Sequence, residues 1–285
     1  MTRSHGRFRE GPRVDLHLHS TASDGTCPPS EVVRRAAASG LDGIALTDHD
    51  TTRGLEEAER EAKARGVRFL PGAELSANEP GSSVHLLAFG FDRRDGNLQA
   101  FMKAYDADRR RRAREIVRRL NDLGVPLEEA DVEARAGSAA PTRAHVGRAL
   151  VARELVSNEG EAFGRYLSRG RPAFVEKRQT PPGEVFEIVH AAGGVVLLAH
   201  PGRTHGVDDV RRWAEEGLDG VEIVHPSNSA EVRSRMSAVA AELGLLKSGG
   251  SDWHGPATRR GELGAEHVPA RWMDEIAART VAGRV

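Results

Sequence analysis

The chain of 285 residues contains one cysteine, few aromatic side chains (5%) and almost no net charge, −1 at pH 7. The single Cys27 excludes an intrachain disulfide and a thiolate cage for zinc, so any metal ion here would be held by nitrogen and oxygen ligands. The near-neutral charge predicts weak affinity for long nucleic acids, because that affinity is mostly electrostatic. A metal site must therefore be sought among the histidines and acids.

Long apolar runs are also missing. No segment has the length needed to cross a bilayer, and residues 1–13 lack the apolar core of a signal peptide. We therefore expect a cytoplasmic protein without a membrane partner, and no pattern indicates an obligate protein partner. The 39% of hydrophobic residues is enough for one large domain, or for a domain with an insertion.

Short apolar strands alternate with amphipathic helices in both halves of the chain, which predicts βα units around a parallel sheet. We expect Ser30 to cap the first helix, and Gly40 and Gly66 to end the first two. The strand pattern stops between 101 and 172, where a helical, charge-rich segment follows. The predicted division is a barrel-forming part at 1–100, an inserted helical subdomain at 101–172 and a second barrel-forming part at 173–285.

The insertion is the basic part of the chain, with 15 Lys and Arg against 11 Asp and Glu over 101–172. Its run RRRRAREIVRR, residues 109–119, has two interpretations. It is either a solvated helix face in which Glu115 and nearby acids pair with the arginines, or a surface that faces phosphate. No aromatic residues interrupt the run, so a stacking platform for long single strands is not predicted.

The segment HLHSTASDG places three candidate metal ligands close together. His17 and His19 alternate on a predicted strand, so both rings project from one face and can share a cation. Asp24 follows in a turn, where Gly25 relaxes the backbone and lets the short carboxylate fold back toward the strand end.

Later segments place further imidazoles and carboxylates in or at the ends of buried runs. Because strand carboxyl ends meet at one edge of a barrel or sheet, these side chains are expected to converge. Burying so many ionisable groups is costly unless divalent cations compensate them. The further predicted ligands are His49, Glu74, His85, His200, Asp252 and His254.

Other polar residues near these segments receive different predictions. The flanking acids Asp15, Asp48 and Asp50 are expected to orient imidazoles or to cap turns. Histidines without such a setting are expected to have no role in the site. They are His5, His190, His205 and His267.

Substrate contacts are predicted from loops and from the insertion. Arg143 and His145 lie in PTRAHVGRAL, where a helix start offers backbone N–H groups and a guanidinium to a second phosphate. The alternative is an ordinary helix surface. Arg203 follows His200 by one short turn, where it could clamp the reacting phosphate, and His225 ends another strand.

Five motifs, HLHSTASDG, TDHDTTRG, GAELS, AHPGR and GSDWHG, resemble those of the polymerase and histidinol phosphatase (PHP) superfamily. The motif order, the insertion and PTRAHVGRAL resemble the branch of nucleoside 3′,5′-bisphosphate phosphatases that includes ribonuclease AM, a 5′-to-3′ exoribonuclease. The resemblance implies an α/β fold, a distorted (β/α)7-type, TIM-like barrel with an inserted helical subdomain. It also implies that Arg203 and His225 contact the substrate, with a metal role for His225 as the alternative.

The resemblance further implies a trinuclear metal site. Manganese is the implied ion, while a mixed imidazole and carboxylate shell also suits iron or zinc better than magnesium or calcium. The implied ligands are His17, His19, Glu74 and Asp252 for one ion, Asp24, His49 and His254 for a second, and Glu74, His85 and His200 for a third.

The leading hypothesis is a metal-dependent phosphatase that removes the 3′-phosphate of nucleoside 3′,5′-bisphosphates, with 5′-to-3′ trimming of short 5′-phosphorylated RNA as an additional activity. The metal cluster would activate water for in-line attack on phosphorus, so no nucleophilic side chain is needed. The absence of a Walker-type sequence argues against kinase chemistry. The alternatives are a small-metabolite phosphatase, such as one acting on histidinol phosphate, and a non-catalytic metal-binding accessory domain.

Overall fold

The computed structural model describes residues 11–256 and 262–280. Within this part, eight strands form one sheet with helices packed around it. The strands are β1 (Arg13–Asp15), β2 (Gly43–Leu46), β3 (Arg68–Glu79), β4 (Ser82–Phe89), β5 (Val195–Leu198), β6 (Gly220–Val224), β7 (Leu246–Gly249) and β8 (Val268–Pro269).

Ten α-helices accompany the strands in the described part of the chain, together with a π-helical turn at Phe163–Leu167 and a 3-10 turn at Pro201–Arg203. The helices are α1 (Pro29–Ala38), α2 (Leu55–Arg65), α3 (Gly96–Asp122), α4 (Glu129–Ala136), α5 (Arg143–Ala152), α6 (Glu159–Ala162), α7 (Pro182–Ala191), α8 (Val207–Glu216), α9 (Ala230–Glu242) and α10 (Ala270–Ala278).

The ends of the first helices differ partly from the prediction. Gly40 and Gly66 adopt left-handed φ values of 72° and 67° where α1 and α2 end, which confirms their predicted role. The predicted cap by Ser30 is wrong, since Pro28 occupies the N-cap position of α1. The Ser30 N–H instead donates to the Glu57 carboxylate at 3.0 Å, so a neighbouring helix satisfies this free amide.

The strand order is β7-β6-β5-β4-β3-β2-β1-β8. Most neighbours are parallel, as predicted, but β4 runs antiparallel to both β3 and β5, and β8 runs antiparallel to β1. The reason for β4 is its link to β3, because a connection through Pro80 and Gly81 is too short for a parallel crossover. The hairpin and the short β8 are the departures from a regular barrel of parallel strands.

The barrel closes between the segment that follows β1 and the end of β7. The Leu16 N–H donates to the carbonyl of Gly249 at 3.0 Å, and Leu18 forms a parallel bridge with Trp253. These contacts bring the segment after β1 beside the end of β7, so the sheet forms a nearly closed barrel. The predicted distorted TIM-like barrel is confirmed.

Alternate residues of β2, β4 and β5 enter different cores, as the period of two requires. On β4, Leu86 and Ala88 belong to the core formed with the surrounding helices, whereas Leu87 and Phe89 belong to a second core with Met273 of α10. Alpha-helix α10 covers this second core near the amino ends of the parallel strands. Polar side chains therefore have room at the opposite, carboxyl ends.

Helices α3 to α6 surround a third apolar cluster, which includes Ile116, Leu120, Val146 and Leu150. Alpha-helix α3 begins at Gly96, and the predicted boundaries of the insertion stay a prediction. No helix in the described ranges is long and apolar enough to cross a membrane. The cytoplasmic location likewise stays a prediction.

The basic run of α3 divides between both predicted interpretations. Four of its arginines pair with acids on the same helix, as a solvated face would. Arg109 and Arg112 instead point inward and are largely buried. The outer pairs are Arg110 with Asp106, Arg111 with Asp108, Arg118 with Glu115 and Asp122, and Arg119 with Glu115.

Candidate metal centre

The nine predicted metal ligands lie in one cluster at the carboxyl ends of the parallel strands, to which antiparallel β4 contributes His85 from its amino-terminal half. Each comes from a strand or from the loop that follows it, as the buried runs predicted. Their positions are His17 and His19 after β1, Asp24 in the next turn, His49 after β2, Glu74 on β3, His85 on β4, His200 after β5, and Asp252 and His254 after β7.

Glu74 lies at the centre of the cluster and is almost completely buried. Both of its carboxylate oxygens face imidazole nitrogens from several elements. The N–O distances are 3.1 Å to His17, 3.1 Å to His19, 3.2 Å to His49, 2.7 Å to His85 and 3.1 Å to His200. A carboxylate in this position has the geometry to bridge two cations.

Asp24 and Asp252 face the cluster from two sides. Asp24 Oδ1 lies 3.2 Å from Nε2 of His254 and 3.9 Å from Nε2 of His49. Asp252 Oδ1 lies 3.3 Å from Nε2 of His19. Groups of ligand atoms close enough to share one ion are His17, His19, Glu74 and Asp252, then His19, Asp24, His49 and His254, and then His49, Glu74 and His85.

The residues present fit divalent cations. Within the described part of the chain, both ring nitrogens of His19, Oδ1 of Asp24 and Nδ1 of His49 are buried without an aligned hydrogen bond, although three of these atoms lie 3.1–3.2 Å from opposing cluster atoms. Such atoms are rare in folded proteins unless an ion or water satisfies them. Ligand atoms about 3–3.5 Å apart are also what bonds of about 2.0–2.2 Å to one ion produce.

The charges of the cluster balance each other. Burial alone would raise the pKa of Asp24, but the imidazoles of His254 and His49 hold it well below its usual value. Burial would likewise raise the pKa of Glu74, which His49 and other imidazoles lower strongly. Burial would lower the pKa of His17, yet the surrounding carboxylates raise it well above normal. The carboxylates therefore stay ionised, as metal ligands must.

The flanking acids hold the backbone around the cluster. Asp48 accepts hydrogen bonds from the N–H and the hydroxyl of Ser20 at 2.8 and 2.6 Å, and Asp15 accepts from the N–H of Ser251 at 3.0 Å. Asp50 has a positive φ of 51° and accepts from the N–H of Ser76 at 2.6 Å. Of the two predicted roles, these contacts are those of acids that fix turns.

Glu222 on β6 is a residue that the sequence reasoning missed. It is fully buried, and its Oε1 lies 2.9 Å from Nδ1 of His17. Its Oε2 accepts from the N–H of His200 at 2.6 Å, a residue with a left-handed φ of 32°. The sequence feature that could have identified Glu222 is its position inside the apolar run GVEIV, where a carboxylate is expected only if it is paired.

His225, predicted as a substrate contact, is buried beside the same cluster. Its Nε2 lies 3.5 Å from Oδ2 of Asp252, and its ring centroid is 5.3 Å from that of His200. It also forms a possible ligand group with His17 and Glu222. Its role as a substrate contact stays a prediction.

A cavity of about 160 Å³ opens beside Asp24, His49 and His85. Its lining also includes cationic side chains from the insertion and from the segment after it. We call these the cation cluster, which consists of Arg112, Arg143 and Lys177.

The cation cluster donates its hydrogen bonds to neutral oxygens. Arg112 Nε donates to the Val175 carbonyl at 3.3 Å, and Lys177 Nζ donates to the Ser83 hydroxyl at 2.6 Å. Burial lowers the pKa of Lys177 to about 7, and burial together with Arg143 lowers that of Arg112 to about 10. The folded protein thus holds positive charges together at a cost that a bound anion would offset.

Arg109 and Arg112 were not predicted as site residues. With Tyr105 and Ile116 they form a stripe at helical spacing on the buried face of α3, and this spacing is the signal that could have found them. Arg109 differs from the cation cluster because it pairs with the Asp50 carboxylate. It therefore supports the loop after β2 as well as lining the cavity.

The other predicted substrate contacts, Arg143, His145 and Arg203, have different positions in the structure. Arg143 lines the cavity, with Nη1 donating to the Leu167 carbonyl at 3.2 Å. His145 is buried on α5, where its Nδ1 accepts from the N–H of Thr142 at 3.0 Å, so at least that nitrogen caps the helix. Arg203 belongs to the 3-10 turn after His200, and its side chain lies outside the described part. Substrate contacts by Arg143, His145 and Arg203 stay predictions.

His190 and His205 make their hydrogen-bond contacts with residues outside the nine candidate ligands. His190 pairs with Asp219 at 2.7 Å, and His205 Nε2 lies 3.2 Å from the Ser83 carbonyl. His5 lies outside the described residues.

A distorted barrel with a buried imidazole and carboxylate cluster beside a cationic cavity defines a metal-dependent hydrolase of phosphate esters. The chain belongs to the PHP domain family, whose model matches residues 15–155. It is 38% identical over 252 residues to a 5′-3′ exoribonuclease of Haemophilus influenzae, covering 86% of this chain and 90% of the relative.

Two further proteins are similar over nearly the whole chain. A 3′,5′-nucleoside bisphosphate phosphatase of Chromobacterium violaceum is 33% identical over 270 residues, covering 90% of this chain and 92% of the relative. A crystal structure from Bifidobacterium adolescentis, described as a metal-dependent phosphoesterase, superposes with a TM-score of 0.90 at 33% identity, covering 95% of this chain and 97% of the other. The predicted family resemblance is confirmed.

Proposed function

We propose that this protein is a metal-dependent phosphoesterase that removes the 3′-phosphate of nucleoside 3′,5′-bisphosphates, converting adenosine 3′,5′-bisphosphate to AMP. The observation that carries the proposal is that one cavity is lined both by candidate metal ligands and by the cation cluster. A substrate with two phosphates matches this arrangement better than a simple phosphomonoester.

Three divalent cations would be held by the nine clustered side chains, with Glu74 shared between two of them. Manganese is the ion we propose first, and iron or zinc also suit these ligands. When bound, such ions lower the pKa of water and neutralise charge that develops on phosphoryl oxygens. Glu222 would keep the proton of His17 on Nδ1, leaving Nε2 free as a ligand.

The cation cluster would bind the 5′-phosphate and thereby orient the 3′-phosphate. Arg143 offers a planar guanidinium for paired hydrogen bonds to phosphate, while Lys177 supplies a compact charge. Holding one end of the substrate converts binding energy into correct placement of the reacting end. Asp24, His49 and His85 border the same cavity, so the 3′-phosphate would lie against the candidate metal centre.

Trimming of short RNA from its 5′ end would use the same geometry. A 5′-terminal nucleotide has a 5′-phosphate, and its 3′-phosphate is the linkage to the next residue. The relative from Haemophilus influenzae, a 5′-3′ exoribonuclease, supports this second activity. The internal pairing of the outer α3 arginines favours short RNA over long RNA, because few unpaired cations remain there to bind a long backbone.

The test incubates adenosine 3′,5′-bisphosphate, AMP, histidinol phosphate and a short 5′-phosphorylated RNA with the metal-free protein and with added manganese, and identifies the products by chromatography. We expect manganese-dependent conversion of the bisphosphate to 5′-AMP and stepwise release of 5′-mononucleotides from RNA. Turnover of histidinol phosphate alone would support a small-metabolite phosphatase. A metal-loaded protein that hydrolyses none of these would support an accessory role.

A further inference from the structure

A second cavity adjoins the first one and has no part in the function described so far. Its volume is about 110 Å³, and Arg143 and Lys177 line both cavities. Because both cavities share these two side chains, a ligand held by them in the first cavity would lie next to the second.

The β3–β4 hairpin forms a common floor. Ser76 and His85, which face each other across the hairpin, line the first cavity, and the next pair on the same face, Asn78 and Ser83, lines the second. Two residues of strand span about 7 Å. The second cavity thus lies about that much further from the candidate metal centre, along the direction in which the hairpin leaves it.

The second cavity differs from the first in its charge. Three charged residues, Glu79, Arg169 and Glu176, line the second cavity but not the first. Arg169 forms an ion pair with Glu176, and Glu79 Oε2 accepts a hydrogen bond from Arg212 at 2.9 Å. The second cavity therefore adds no net positive charge beyond the shared Arg143 and Lys177. Such a space suits a neutral polar group better than another phosphate.

An aromatic ring lines this space. Phe174 is half-buried, and the guanidinium of Arg143 lies 5.5 Å from its ring centroid. The amide of Gln179 also lines the cavity from an exposed position. Aromatic rings, Arg planes and amide groups are the side chains that proteins use to bind unstacked nucleobases.

We propose that the second cavity binds the nucleobase of the substrate, with Phe174 as the stacking surface. The proposal rests on the proposed function, in which the two phosphates of the same nucleotide occupy the first cavity and the candidate metal centre. Every base has a face that can stack, so the cavity would favour nucleotides over other bisphosphates without choosing strongly among bases.

The test compares adenosine 3′,5′-bisphosphate with 1-deoxyribose 3,5-bisphosphate, in which hydrogen replaces the base, on the manganese-loaded full chain. For the wild type we expect kcat/KM to be roughly 5- to 150-fold higher with the base present. Phe174→Ala should lower kcat/KM for the nucleotide and bring this ratio near one. Since both substrates keep the 5′-phosphate, a displaced Arg143 would affect them equally and leave the ratio unchanged.

A second variant tests the cavity without removing a packed ring. Ser82→Tyr places a large side chain at the wall of the second cavity and should also reduce the ratio. Tyr166→Ala is the matched control, because this aromatic of the insertion lines neither cavity, and the wild-type ratio should be retained.

Two results would overturn the proposal in distinguishable ways. If the wild type hydrolyses both substrates equally well, or if Phe174→Ala and Ser82→Tyr retain the wild-type ratio, the nucleobase does not bind in this cavity while the proposed phosphatase activity stands. If the manganese-loaded wild type hydrolyses neither substrate, the proposed function is wrong and this inference is wrong with it.

Discussion

Replacing Glu222 by glutamine should weaken metal binding without unfolding the protein. In the wild type, one carboxylate oxygen faces Nδ1 of His17 at 2.9 Å and the other accepts from the His200 N–H at 2.6 Å. Glutamine has one oxygen and one NH2 group. One of the two partners must therefore face an NH2 group, so either the His200 N–H loses its acceptor or the proton of His17 moves to the nitrogen that would bind metal.

The size of this effect follows from the contacts. An unsatisfied buried donor costs about 1–3 kcal/mol. Loss of a group that orients a metal ligand typically reduces metal affinity about 10- to 100-fold, which corresponds to ~1.4–2.7 kcal/mol. We expect Glu222→Gln to lie in this range and to regain much of its activity at saturating manganese, which a misfolded protein could not do.

The assay is a competitive titration with a fluorescent chelator for manganese, combined with phosphate release at limiting and saturating metal. Glu187→Gln, on the exposed side of α7, is the matched control and should bind manganese like the wild type. If Glu222→Gln shows wild-type manganese affinity and full activity at limiting metal, Glu222 does not position His17 or His200 in the way the structure indicates.

Three further predictions concern the cation cluster and the metal. Arg143→Ala should lower kcat/KM for adenosine 3′,5′-bisphosphate about 10- to 150-fold, as expected for a lost charged hydrogen bond, with a smaller loss for 3′-AMP; equal losses would assign Arg143 to folding or to the reacting phosphate. The pKa of Lys177 is about 7, so its phosphate-binding ammonium form is lost as pH rises through 7. The preference for the bisphosphate over 3′-AMP should then decrease from pH 6 to 8.5 in steady-state kinetics, and Lys177→Arg should remove this decrease; an unchanged profile would contradict the assignment. Manganese at 100 times its Kd should stabilise the fold by about 2.7 kcal/mol and raise the Tm by several degrees, as measured by calorimetry, and chelation should reverse the shift; a Tm that ignores manganese would argue against binding to the folded state.

The sequence predicted the positions of candidate ligands best where a histidine or an acid lies in or just after a predicted buried strand. His17, His19 and Glu74 lie on or just after buried strands, so parallel order alone brings such residues to one edge. The position of His85 in a buried apolar run predicted a ligand but not the strand direction. The hairpin that contains it depends on the short link through Pro80 and Gly81, which indicates an antiparallel pair only once both flanking segments are known to be strands.

Tertiary contacts explain what the sequence did not predict. Glu222 orients His17 across a large sequence separation, and no local pattern shows which imidazole a buried acid will meet. Arg112 and Lys177 lie on different segments, and only the packing of the insertion places both against one cavity. The stripe of α3 could have identified Arg112, but its partner Lys177 follows a segment without regular structure.

The single strand β3 has a consequence for how specificity can change. Glu74, Ser76 and Asn78 lie on one face of it, so a slip of one residue would turn all three away from the site together. One strand register therefore sets the orientation of all three residues, and a change of register cannot alter one of them alone. New substrates would more readily arise through residues above the floor, such as Arg143 and Phe174, whose replacement leaves the ligands of the metal centre in place.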